Sequence, residues 1–144
     1  MKQFALAAAL AAATATGAMA QQAVTYPFDG SFEDAAFGVE SAIVGRGLVI
    51  DYTSHVGEML ERTREDTGSD VVLFDEADIY LFCSAVVSRQ VMEADPMNIA
   101  NCPYGIFIAS MEGEVMIGYR VMPEESMAPV MALLDELARE AAGQ

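Results

Sequence analysis

Two cysteines, Cys83 and Cys102, stand nineteen positions apart in the stretch FCSAVVSRQVMEADPMNIANCPYG. A thiol pair can close a structural disulfide, exchange electrons with another disulfide, or hold a soft metal, and each use demands its own geometry. The one histidine, His55, and eight methionines beyond residue 20 complete the soft ligands. Met59 follows His55 by four residues, which places both on one face of a helix. Cys83, Cys102, His55 and Met59 are the donor types that Cu(I) prefers. The ordinary roles compete with that reading: a surface or capping position for His55, and core packing for most methionines. Apart from copper, no cofactor is expected. C-x-x-C, C-x-x-C-H, H-E-x-x-H, G-x-S-x-G and a phosphate-cradling glycine loop are all missing from the sequence, so thioredoxin-type and hydrolase chemistry have no positive support.

The elements that must position these side chains can be read from periodicity and caps. Ala23–Phe28 has strand composition, with Pro27 favouring an edge. Ser31, with Asp34 three residues on, opens a helix whose apolar face is Phe32, Ala36, Val39 and Ile43 and which Gly45 and Gly47 end. Leu48–Thr53 reads as a buried strand. Ser54 is a candidate cap for HVGEMLERTRED, with Val56, Met59 and Leu60 turned inward and Gly68 as the stop. Ala77–Cys83 is a third strand, and Ser84 caps AVVSRQVMEA, which Asp95-Pro96 halts. YGIFIAS and VMIGYRVM flank a hairpin at Met111-Glu112-Gly113-Glu114. A last helix, about Glu124 to Ala141, shows Met127, Val130, Met131, Leu134, Ala138 and Ala141 on one face. The order β-α-β-α-β-α-β-β-α implies a two-layer α+β sandwich, a small mixed sheet with helices packed on it.

On this frame Cys83 ends a strand where a helix begins, and the helix dipole there is expected to lower its pKa. Cys102 lies at the entry to the fourth strand. Parallel neighbouring strands would hold the two thiols at opposite sheet ends, ~20 Å apart, whereas another strand direction lets them meet. Disulfide, redox pair and metal site therefore stay open. Tyr52, Tyr80 and Tyr104 are candidates to line a pocket.

Residues 1–20, MKQFALAAALAAATATGAMA, carry a lysine, an alanine-rich apolar run and a closing Ala18-Met19-Ala20. That is the pattern of a secretory signal peptide cut before Gln21. It leaves a single domain, 21–144, which is large enough to bury its own core. Loss of Lys2 leaves six basic side chains against 22 acidic ones, a balance of −16. Such a surface repels nucleic acid and anionic lipid, so neither nucleic acid nor, after cleavage, a membrane is expected as partner.

SFEDAA at the first helix, GRGLVIDYTSHVGEML across the second strand and helix, and FCSAVVSRQVMEADPMNIANCPYGIFI resemble the family called domain of unknown function 302. The resemblance runs from Ser31 to Tyr119. In that family a cysteine ends the third strand, an Asp-Pro lies twelve residues on, and a second cysteine opens the next strand. The matching positions here are Cys83, Asp95-Pro96 and Cys102. The chain departs from the pattern at Ser84-Ala85, often Asn-Pro, and at Ala100-Asn101, often Leu-Pro. The resemblance implies a small α+β domain, often a homodimer, with no established catalytic activity. Together with the signal pattern it points to an exported protein of a bacterial periplasm. The expected role is a non-enzymatic binding or accessory domain. The alternatives are a thiol redox or sulfur-handling protein using Cys83 and Cys102, and a copper-binding protein.

Overall fold

The computed structural model describes residues 22–144, and the expected signal peptide, 1–20, lies outside the described residues. The elements follow the expected order: β1 (Ala23–Phe28), α1 (Phe32–Gly45), β2 (Val49–Ser54), α2 (Val56–Thr63), β3 (Glu76–Cys83), α3 (Ala85–Ala94), a 3-10 helix (Pro96–Asn101), β4 (Tyr104–Met111), β5 (Glu114–Arg120), a short 3-10 turn (Glu125–Met127) and α4 (Ala128–Ala141). The strands form one sheet in the order β1-β5-β4-β3-β2. Every neighbouring pair is antiparallel, so the sheet is not mixed. α2 and α3 each return the chain to the sheet end it has just left, so β2, β3 and β4 pair antiparallel, whereas α1 links β1 to β2, which run in the same direction but lie at opposite edges and never pair.

Strand alternation assigns the faces. β4 turns Tyr104, Ile106 and Ile108 towards the helices and Gly105, Phe107 and Ala109 the other way. Tyr80 and Phe82 of β3, and Val115, Ile117 and Tyr119 of β5, join the helix side. Against them pack Val39, Ala42 and Ile43 of α1, Val91 of α3, and Val130, Leu134, Leu137 and Ala138 of α4. These three helices make one layer, and α2 stands apart against β3. The result is the two-layer α+β sandwich.

Local signals explain most boundaries. The Ser31 side chain accepts from the Asp34 N–H at 3.1 Å while the Asp34 carboxylate turns back to Ser31, a complete capping box. Ser84 caps α3 through the Val87 N–H at 3.3 Å. The β4–β5 hairpin turns at Glu112 and Gly113, both with positive φ (54° and 80°), as its tight turn requires.

Several expectations need correction. β2 is an edge strand with half of its positions exposed and none fully buried, because only β3 flanks it. Ser54 stays in that strand, and His55 occupies the cap position of α2 without a side-chain cap bond. α2 ends at Thr63, well before Gly68, and none of its residues is fully buried; Met59 is 41% exposed. The last helix becomes α-helical only at Ala128, next to Pro129, a residue suited to a first helical turn.

One polar cluster fastens the β1 edge to α4. Asp135 Oδ1 accepts the hydroxyls of Tyr26 and, at 2.7 Å, Tyr119, and its Oδ2 accepts from Arg139 Nε at 2.9 Å. The Arg139 guanidinium also lies 5.1 Å from the centre of the Tyr26 ring. Donation from Tyr26, then from Tyr119, holds the Asp135 carboxyl below the usual carboxylate range. A folded-state pKa below the unfolded value means stability that is present above about pH 4 and lost as the pH falls through the folded value. Asp135→Asn is therefore expected to lower Tm at pH 7 by about 5 °C. It should also flatten the loss of Tm on acidification, read by thermal melts between pH 7 and pH 3; equal acid slopes for both proteins would refute the assignment.

Candidate functional site

The site begins with the pairing of β3 and β4. The register ends with Phe82 opposite Tyr104, so Cys83, the next residue along β3, stands at the entry to β4, where Cys102 also lies. The antiparallel register thus brings both cysteines to one end of the sheet. The loop between them is held in place at several points. Asp95 Oδ1 accepts from the Met97 N–H at 2.9 Å and starts the 3-10 helix. Buried Asn98 donates to the Val91 carbonyl at 2.8 Å and to Ser126 Oγ at 3.1 Å, tying that helix to α3 and to the turn before α4. Arg120 donates to Asn101 Oδ1 at 3.0 Å, and the Cys102 N–H donates to the Ile99 carbonyl at 3.1 Å. Ser88 Oγ and the Tyr104 hydroxyl lie 3.0 Å apart, joining α3 to β4 above the pair.

Both thiols are free and half-buried. Burial first, then the neighbouring Cys102 thiol and the Asp51 carboxylate, push the Cys83 thiol up to about 12, against the Tyr104 backbone N–H, which favours the thiolate. This reverses the expected lowering by the α3 dipole. Cys83 precedes the cap residue, and it is Ser84 that takes the free N–H of the first turn. Asp51 stands at the register shift between Ile50 and Tyr52, where β2 carries one residue more than β3 opposes. Its approach to Cys83 depends on that bulge and has no sequence signal. The Asp135 cluster is equally silent in the sequence, since Tyr26 and Asp135 are 109 positions apart.

The remaining soft ligands lie elsewhere. His55 Nδ1 is 2.9 Å from Asp78 Oδ1, at the start of β3. Asp78 and Cys83 are five residues apart on one strand, about 17 Å. His55, with Met59 one turn on, therefore faces the opposite sheet end from the thiols, beside an acidic groove that Glu58, Glu61, Asp75 and Glu76 help to line. Among the described residues no three His, Cys, Asp or Glu side chains gather as a metal site. The three tyrosines do not share a pocket either. Tyr80 and Tyr104 are buried under the helices, whereas Tyr52 is 63% exposed on the edge strand.

Residues 22–144 match the family described as Domain of unknown function DUF302. The chain belongs to this family. The crystal structure of an uncharacterized conserved DUF302 protein from Bacillus stearothermophilus is similar to it at 19% identity and a TM-score of 0.58, covering 86% of this chain and 90% of that one. That likeness shows a shared fold. No curated protein matches the chain.

The burial of Cys83 in this DUF302 domain has a direct chemical consequence. A thiol pushed up to about 12 leaves a thiolate fraction of about 10⁻⁴ at pH 8, against roughly a quarter for an unperturbed cysteine. In the reduced Cys102→Ser variant, which keeps the burial and the Asp51 carboxylate but loses the Cys102 thiol, Cys83 is expected to react with iodoacetamide at least tenfold more slowly than free cysteine at pH 8, followed by mass spectrometry. A rate within tenfold of free cysteine would show that the thiol is not held in this way.

Proposed function

We propose that this chain is an exported, non-enzymatic binding or accessory domain that works as a homodimer, joined through the sheet face that no helix layer covers. The observation that carries the reading is the character of that face. By alternation it presents Ile79, Leu81, Phe107 and Met116 at its centre, all half-buried, with exposed Val49 and Tyr52 on the β2 side. Charged positions on β5, Glu114 and Arg120, stand only at its ends. Gly118 keeps the middle flat: a Cβ there would come within 2.5 Å of the Phe107 ring and 2.6 Å of the Val24 carbonyl oxygen.

A second copy is the occupant that the charge and the size of the face favour. The balance of −16 elsewhere repels another copy, so self-association must use a neutral surface. The sheet edges are poor alternatives, because β1 carries Pro27 and β2 carries the bulge at Asp51. Five strands at about 4.8 Å spacing and about 20 Å of length make a face of roughly 500 Å². Two such faces bury about 1,000 Å², the lower range for a specific contact, which corresponds to a dimer of modest affinity. Export rests on the pattern of residues 1–20 and the periplasmic setting on that pattern with the family.

Two measurements test the reading. Light scattering behind size-exclusion chromatography should give a dimer at about 100 μM chain and a shift towards monomer on dilution, and Leu81→Asp should raise the dissociation constant at least 100-fold while keeping the circular dichroism of the wild type. A wild type that is monomeric at that concentration would overturn the dimer. N-terminal sequencing of the periplasmic fraction should begin at Gln21; an intact Met1 in the cytoplasm would overturn export.

A further inference from the structure

From the meeting of two strand ends we infer that Cys83 and Cys102 are a reversible dithiol–disulfide pair, oxidised within one chain by exchange with a disulfide of small-molecule or protein origin. The antiparallel register ends with Phe82 opposite Tyr104, so Cys83 stands at the entry to β4, where the 3-10 helix delivers Cys102. Asn98, Ser126, Asn101 and Arg120 hold that delivery loop to three other elements, so the approach of the thiols is built into the fold. Neither thiol is sealed off: both are partly exposed, and Val86, Met97 and Ile99 between them in the sequence are exposed apolar side chains. A disulfide here would close the loop through α3 and the 3-10 helix, joining the two ends of one strand-helix-strand unit.

The exchange has a defined order. Cys102 loses its proton to solvent and its sulfur bonds to one sulfur of the incoming disulfide, whose other half leaves as a thiolate and is protonated. Cys83 then gives up its proton and attacks the Cys102 sulfur, releasing the second half as a thiol. Two electrons and two protons pass from the protein to the disulfide, and excess dithiol reverses both steps. Burial makes Cys83 a poor first nucleophile, but as resolving thiol it needs only to act on a sulfur held beside it. The combination suits a slow switch of stability rather than a rapid oxidoreductase.

Oxidised glutathione in excess at pH 8 is the probe, with intact mass and non-reducing gels as readouts. The wild type is expected to lose two hydrogens, remain a single chain on the gel and carry no glutathione. Cys83→Ser should stop at one stable glutathione on Cys102. Cys102→Ser should take up glutathione at least tenfold more slowly. The oxidised wild type should melt about 10 °C above the reduced form. Amide exchange should slow across residues 84–101. The monomeric Leu81→Asp variant should oxidise in the same way, which keeps this result separate from self-association. Covalent dimers, a wild type that retains glutathione on both cysteines, or thiols still free after the Cys83→Ser variant has reacted fully would each overturn the pairing.

Discussion

The pairing of β3 with β4 is the constraint on which the rest of the molecule depends. Tyr80 faces Ile106 and Phe82 faces Tyr104 across these strands, and all four are 0–3% exposed beneath the helices. A slip of one residue would turn that entire set to the other face of the sheet, so the register is strongly specified. Once it is set, the ends of the two strands have no freedom. Cys83 and Cys102 must share one end, and Asp78 with His55 must share the other. The thiol site and the separation of the copper-type donors follow from one ladder of hydrogen bonds.

The electrostatics divide the surface into two kinds. Five of the arginines beyond residue 20 hold carboxylates: Arg46 with Glu136 and Glu140, Arg62 with Glu58, Arg64 with Glu61, Arg89 with Glu93, and Arg139 with Asp135. The sixth, Arg120, holds Asn101. Most of these pairs are exposed and contribute little stability each. They matter because they occupy the positive charge, and many of the remaining carboxylates stand unneutralised. Against this background the open sheet face is distinctive for an apolar centre, with the charges of β5 only at its ends. In the proposed dimer, repulsion elsewhere and the apolar centre here would direct association to the same place.

Much of the local plan was legible because it is written in short-range chemistry. Ser31 with Asp34 and Ser84 before an apolar stripe announce helix starts, and Glu112-Gly113 announces a turn, whichever tertiary structure surrounds them. Readings failed where a short-range rule met a long-range competitor. Leu48–Thr53 has the composition of a buried strand, yet it lies at an edge because only one strand pairs with it. Ser54 has the right chemistry for a cap, but its backbone is committed to pairing with Ile79. Cys83 sits where a helix dipole favours a thiolate, but burial and the Asp51 carboxylate reverse the balance.

What the sequence by itself determined is the order of elements, their principal caps, the hairpin, the acidic balance and the presence of a cysteine at each joint of one strand-helix-strand unit. Only the tertiary structure decided strand order, which strands became edges, and whether the two joints meet. Caps and periodicities act over three or four residues and are complete within the segment that carries them. Strand pairing selects among partners twenty to a hundred positions apart by how many apolar side chains each arrangement buries together. That sum is a property of the whole chain, and it is what places Cys83 beside Cys102 and leaves His55 at the far end of the sheet.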